Sequence, residues 1–140
     1  MARAGITAQF EVPAERLWAL LRDFGNIDWA PGPPRYEVKG EGIGMTRSIF
    51  MGEGEPLQET LRALDEGERS LRYEIQGRNP LPVSSYVATM QVQSAGADRS
   101  VLEWSCRFEP KGVSEDQASA TIRGLYETMA GSMRRILSEG

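Results

Sequence analysis

The sequence predicts a single α+β domain over residues 1–140, a twisted antiparallel sheet covered on one face by a long C-terminal helix. Three observations predict it. Ile6, Ala8, Phe10 and Val12 alternate with Thr7, Gln9 and Glu11, the period of a half-buried strand. Between Tyr36 and Tyr86 the helical period vanishes, and short apolar runs alternate with turns such as "KGEGIG", "MGEGEP" and "DEGERS". From Ser114 onward, apolar residues recur at helical spacing to the end of the chain. A sheet of this kind has one face to cover, and the amphipathic helix is its cover.

The elements follow in order. After the first strand, Pro13 suits a first helical position, and Leu17, Leu20, Leu21 and Phe24 recur with helical spacing beside Trp18. Gly25 is expected to end that helix. Strands are expected over Tyr36–Lys39, Met45–Phe50, Leu57–Leu64 and Leu71–Ile75, then a Pro-containing loop, "GRNPLPVSS". Two longer strands, Tyr86–Gln93 and Val101–Glu109, are joined by "SAGADRS". Tyr86, Ala88, Met90 and Val92 share one face; Leu102, Trp104, Cys106 and Phe108 share another. Both faces point inward only if Trp104 lies near Met90, which needs an odd-length loop or a bulge around Gly96. Gln91, Thr89 and Ser85, with Glu103, Ser105 and Arg107, then face water. Ser114-Glu115-Asp116-Gln117 is a capping box. Ala118, Ile122, Leu125, Met129, Met133 and Ile136 form the expected buried stripe of the last helix, with Arg134 and Arg135 near its negative pole. About 24 residues give a helix of roughly 36 Å, enough to cross a small domain.

Composition narrows the chemistry. With 40% hydrophobic and 26% charged residues the chain reads as globular, and a domain of this length buries roughly two-thirds of its unfolded surface. A net charge of −4 argues against nucleic acid or an anionic membrane as the main partner. No apolar run approaches the roughly 20 residues of a membrane span. Cys106 stands alone, and the N-terminus leads into a strand pattern rather than a signal-peptide core, so a cytoplasmic location is expected. There is no histidine, which removes His-based catalysis; with a single cysteine, no metal site and no cofactor are expected. Chemistry must rest on Asp, Glu, Arg, Lys, Tyr, Ser or Thr.

The stretches "VPAERLWALLRDFGNIDWAP", "GEGIGMTRSI", "LDEGERSLRYEI", "NPLPVSSYVATMQV" and "VLEWSCRFEP", followed by the helix from Ser114, together resemble the START-like or SRPBCC superfamily in its polyketide cyclase/dehydrase branch. They cover nearly the whole chain. The resemblance implies a helix-grip fold, a curved sheet wrapped around the C-terminal helix with a deep apolar cavity between them. It implies small hydrophobic ligands such as lipids, hormones, polyketides or aromatic compounds, and no single reaction.

Candidate ligand-binding residues follow. Trp29, in the connection "LLRDFGNIDWAPGP", either packs over the first helix or stands in the cavity wall, with Pro31, Pro33 and Pro34 stiffening the loop. The family motif favours the wall. Tyr73, Tyr86 and Trp104 fall on inward faces and are either plain core or polar-tipped lining. Met90, Met129 and Met133 would add an adaptable apolar wall, or simply fill core. Glu59, expected with Leu61 and Ala63 on the side of Leu71, Tyr73 and Ile75, is costly to bury alone. Arg47 is read as a surface residue on a twisted strand, with pairing to Glu59 as the alternative. Gly124 and Gly131 cost about 1 kcal/mol each inside a helix; close approach of the "NPLPV" loop or a ligand, or a helix bend, would account for them. "GEGIG" lacks the Lys-Ser/Thr pair of a phosphate loop and is read as a turn at the cavity mouth. The expected function is binding of a small, largely hydrophobic molecule. A cyclase- or dehydratase-type enzyme using the same cavity, and a protein-partner module with a filled interior, are the alternatives.

Overall fold

A computed structural model describes residues 1–139 apart from Pro33, Met51, Glu53, Gly77 and Arg78, and leaves the Gln76 side chain undescribed. The chain forms β1 (Ala2–Phe10), α1 (Ala14–Arg22), β2 (Arg35–Lys39), β3 (Thr46–Phe50), β4 (Leu57–Asp65), β5 (Ser70–Gln76), β6 (Val83–Ser94), β7 (Ser100–Pro110) and α2 (Glu115–Glu139). The seven strands make one sheet in the order β1-β7-β6-β5-β4-β3-β2, every pairing antiparallel. Strands β2 to β7 form a meander, and β1 returns to lie beside β7. This is the α+β helix-grip architecture, with α2 along the concave face of the curved sheet.

The helix is anchored at one side. It lies on β1 and β7, where Ala2, Ala4 and Ala8 of the strand and Ala118 and Ala130 of the helix are all buried. Small side chains let backbone approach backbone there. Ser119 Oγ donates to the Arg3 carbonyl (3.2 Å), and Arg134 Nε donates to the Gln9 carbonyl (2.9 Å). The closeness extends to β1 and β7 themselves: a Cβ on Gly5 would meet the Trp104 carbonyl at 2.9 Å. The capping box forms as expected, Gln117 N donating to Ser114 Oγ (3.1 Å) and Ser114 N to Gln117 Oε1 (3.0 Å). At the far end Arg16 of α1 donates to the Leu137 carbonyl (2.6 Å), so one of the helix's orphan acceptors is met from another element.

The β6–β7 register is the one expected. Met90 lies opposite Trp104, the loop of residues 95–99 is odd in length, and Gly96 takes φ +138. The inward faces are buried, and Ser85, Thr89, Glu103, Ser105 and Arg107 are exposed. A bulge at Ser85 (φ 53) adds one residue, so Val83 and Tyr86 both face inward across it.

Several expectations need correction. Helix α1 ends at Arg22 with Asp23 as its C-cap, two residues before Gly25, and Pro13 is its N-cap rather than its first residue. Strand β4 carries a bulge between Leu61 and Ala63, so Ala63 pairs with Arg72, and Leu64 rather than Ala63 lies opposite Leu71. Such a bulge flips every residue beyond it. On α2, Leu137 and not Ile136 is buried, and Tyr126, Ala130 and Ser132 belong to the buried stripe. A Cβ added at Gly124 or Gly131 would meet nothing within 4 Å, so no close approach of the "NPLPV" loop explains these glycines.

Candidate ligand cavity

Away from the β1 side, the sheet and α2 border a hollow of about 390 Å³ that opens to the surface. Four parts of the chain wall it, one being the β5–β6 connection with Pro80 and Leu81. The 23–34 connection contributes Ile27, Trp29 and Pro31; the sheet contributes Arg47, Ile49, Glu59 and Tyr73; α2 contributes Leu125, Tyr126 and Met129. Tyr86 and Trp104 also line it. Among the expected ligand residues, the fold thus brings Trp29, Glu59, Tyr73, Tyr86, Trp104 and Met129 together around one space. Met90 and Met133 are buried but lie outside its lining, in the packed core. Pro31 and Pro34 line the hollow; Pro33 falls outside the described residues. The Gly40–Gly44 turn joins β2 to β3 and contributes nothing to the lining.

The connection over the cavity is clipped at three points. Arg47 Nη1 donates to the Phe24 carbonyl (2.9 Å). Tyr36 donates its hydroxyl proton to Asp28 Oδ1 (2.7 Å) while its oxygen accepts from Ile27 N (3.2 Å). Ser132 Oγ on α2 donates to the Trp29 carbonyl. Trp29 therefore holds its wall position through helix and strand contacts, despite the short polar and proline-rich segment that carries it.

Arg47 and Glu59 are directly opposite in the β3–β4 register and point inward. Arg47 is buried, contrary to its reading as a surface residue, and Nε donates to Glu59 Oε1 at 2.7 Å. Its guanidinium also lies 3.9 Å from the Phe24 ring centroid and 5.4 Å from that of Tyr73. Two buried charges are tolerable only with such compensation: a counter-ion, a carbonyl and two aromatic faces. The alternation Arg47, Ile49 within "TRSIF" places the arginine on the apolar parity of its strand, a signal that a polarity-based reading passes over.

An aromatic cluster completes the floor. Trp104 and Tyr126 stack at 4.0 Å with an interplanar angle of 8°. Trp104 Nε1 donates to the Tyr73 oxygen (3.2 Å), and the Tyr86 and Tyr126 hydroxyls bond to each other. Burial lifts the Tyr73 phenol well above its ordinary value, helped by the Glu59 carboxylate; burial also lifts Tyr86 and Tyr126. These phenols therefore remain neutral hydrogen-bonding groups and do not serve as bases near neutral pH. Burial raises the Cys106 thiol as well, which keeps it an inert core group. Tyr126 is the aromatic site residue that sequence reasoning missed, beside Arg47 and the apolar lining residues Ile27, Ile49 and Leu125. Its spacing from Ile122 and Ala130 is as helical as the spacing of Leu125 and Met129, but alanine and serine gave that face a weak apolar signal.

No group of three or more His, Cys, Asp or Glu residues that could hold a metal ion occurs among the described residues. No helix among them is long and apolar enough to cross a membrane.

Known structures share this architecture. XoxI from Bacillus cereus superposes with a TM-score of 0.83 at 24% identity, covering 98% of this chain and 96% of that one. A putative uncharacterized protein from Bacillus thuringiensis gives 0.83 at 27% identity, over 97% and 98% of the two chains. Norcoclaurine synthase from Thalictrum flavum, solved in complex with dopamine and hydroxybenzaldehyde, gives 0.78 at 19% identity, over 98% and 86%. The likeness to XoxI and to the synthase is one of fold. No curated protein matches the chain. The family described as "Polyketide cyclase / dehydrase and lipid transport" matches residues 1–138, and the chain belongs to that family.

Proposed function

We propose that the protein binds a small, largely hydrophobic molecule, lipid, aromatic or polyketide-like, in the hollow between sheet and C-terminal helix. One observation carries the reading: a space of about 390 Å³ walled mainly by apolar and aromatic side chains, with one ion pair set into it. Ligand pockets have this make-up, an apolar lining with few polar groups that fix orientation. A partner-binding module with a filled interior fits the molecule less well. The membership of a family named for cyclases, dehydrases and lipid transport is in keeping with a hydrophobic ligand. A cytoplasmic setting belongs to the same reading.

Native mass spectrometry of protein purified gently from its own source tests it. A co-purified small molecule, lost on mild organic extraction, is the expected result. Protein that arrives empty and takes up no hydrophobic compound at any concentration up to solubility would refute the reading.

A second reading has one observation in its favour. Glu59, Tyr73, Tyr86 and Tyr126 all line the same space. An enzyme of cyclase or dehydratase type would orient its substrate with these groups, catalysing chiefly by positioning. In that case Glu59→Gln lowers turnover; unchanged affinity and turnover in that variant would remove Glu59 from both readings.

A further inference from the structure

The buried ion pair leaves one guanidinium nitrogen and one carboxylate oxygen without a protein partner. The exposed pair Arg22–Glu66 shows the fully engaged form: Nε donates to both carboxylate oxygens (3.1 and 3.0 Å) and Nη2 to Oε2 (2.6 Å). Arg47 and Glu59 engage only through Nε and Oε1 (2.7 Å), and Nη1 goes to the Phe24 carbonyl (2.9 Å). Among the described residues, Arg47 Nη2 and Glu59 Oε2 make no hydrogen bond to protein. The two residues are only 7% and 8% exposed. Yet no fully buried side-chain nitrogen or oxygen among the described residues lacks a partner, and both residues line the cavity. The two unused atoms therefore keep some exposed surface, on residues that line the hollow.

Their chemistry is specific. Nη2 offers N–H donors and Oε2 is an acceptor only. The pair is neutral as a whole, so a charged ligand head placed against it meets one like charge and leaves the site with a net buried charge. A carboxylate head would be attracted by Arg47 and repelled by Glu59 Oε2; an ammonium head would meet the reverse. A neutral head with an acceptor and a donor side by side satisfies both atoms. The aromatic floor does not compete for it, because the Trp104 and tyrosine polar groups bond to one another.

We infer that the ligand has an apolar body ending in a carbonyl flanked by N–H, as in a carboxamide or lactam. Its oxygen accepts from Arg47 Nη2 and its N–H donates to Glu59 Oε2. The inference rests on the cavity being a binding site, as proposed above. Hydrogen bonds to charged, desolvated partners discriminate strongly against analogues that lack them.

Four probes of similar size separate the possibilities by calorimetry: 2-naphthamide, 2-naphthoate, methyl 2-naphthoate and 2-ethylnaphthalene. Naphthamide is expected to bind at least tenfold more tightly than the other three. In an Arg47→Met/Glu59→Leu double variant, which replaces the pair with apolar groups of similar volume, naphthamide should fall to the level of ethylnaphthalene. The Glu59→Gln variant, closer in shape, should shrink the advantage of the amide over the ester. Naphthoate binding as tightly as naphthamide, or an amide preference that survives both variants, would overturn the inference. Equal binding of all four probes overturns it alone, whereas binding of none also overturns the cavity as a ligand site.

Discussion

The two sides of helix α2 meet the sheet in opposite ways. Toward β1 small buried alanines of strand and helix line the contact, tied by side-chain to backbone hydrogen bonds, with Phe108, Leu102 and Ile122 fully buried in the core beside it. Toward β3, β4 and β5 the wall residues are large, aromatic or charged, and a hollow separates them from the helix. The difference teaches where stability and function reside. Small residues close one side and fix the helix; bulky residues brace the other side and keep it from collapsing onto the helix. A well-packed region has no spare volume, so the hollow persists only because the first side holds the helix in place.

The largest expected effect that probes this contrast is alkaline unfolding. Burial raises Tyr73, Tyr86 and Tyr126 at the cavity, and raises Tyr36 beneath the 23–34 connection, so all four tyrosines are elevated. The unfolded chain releases phenolic protons near pH 10 while the folded chain retains them. Their contribution to stability is thus full below about pH 10 and is lost as pH rises toward the elevated folded values. Absorbance at 295 nm should show little tyrosinate until a single cooperative step that coincides with loss of the fold. Gradual ionisation in folded protein would show that water reaches the cavity tyrosines freely.

Truncation comes next. Phe108→Ala on the closed side should cost about 4 kcal/mol, whereas Met129→Ala, which already faces a void, should cost about 1 kcal/mol. Urea midpoints of the two variants measure the gap, and equal losses would erase the contrast between the sides. Arg47→Met leaves a buried carboxylate unpaired and should cost about 3 kcal/mol, with most of it recovered when Glu59→Leu is added. A double-mutant cycle without that recovery would mean that the pair is not coupled. The smallest effect concerns the clip on the connection. Ser132→Ala removes its bond to the Trp29 carbonyl and should cost about 1 kcal/mol, detected as faster exchange of amides in residues 27–30 with those of β7 unchanged.

How much of this was legible in the sequence depended on whether a signal was periodic. The closed side was readable because strand alternation in β1, β6 and β7 and the Ser114–Gln117 capping box are local patterns, and Met90 opposite Trp104 followed from parity alone. Two kinds of feature escaped. Bulges are single-residue events: the one between Leu61 and Ala63 turned Ala63 away from Leu71 without any Gly or Pro to announce it. Residues whose identity argues against their location also escaped. Arg47 looked like surface because it is charged, although its strand parity pointed inward, and Tyr126 was overlooked because its stripe passes through Ser119 and Ala130. Met90 and Met133 show the converse. Inward parity and apolar chemistry placed them correctly in the interior, but nothing local tells packed interior from cavity wall, since that depends on how far the helix stands from the sheet.

The most direct test of the hollow as a binding site uses one methionine at its wall and one in the packed core. With ¹³C-methyl-labelled methionine, titration with 2-ethylnaphthalene should move the Met129 signal at the cavity wall and leave the Met90 signal in the packed core where it was. A Met129 signal that stays fixed at saturating probe, or a Met90 signal that moves as far, would contradict the account.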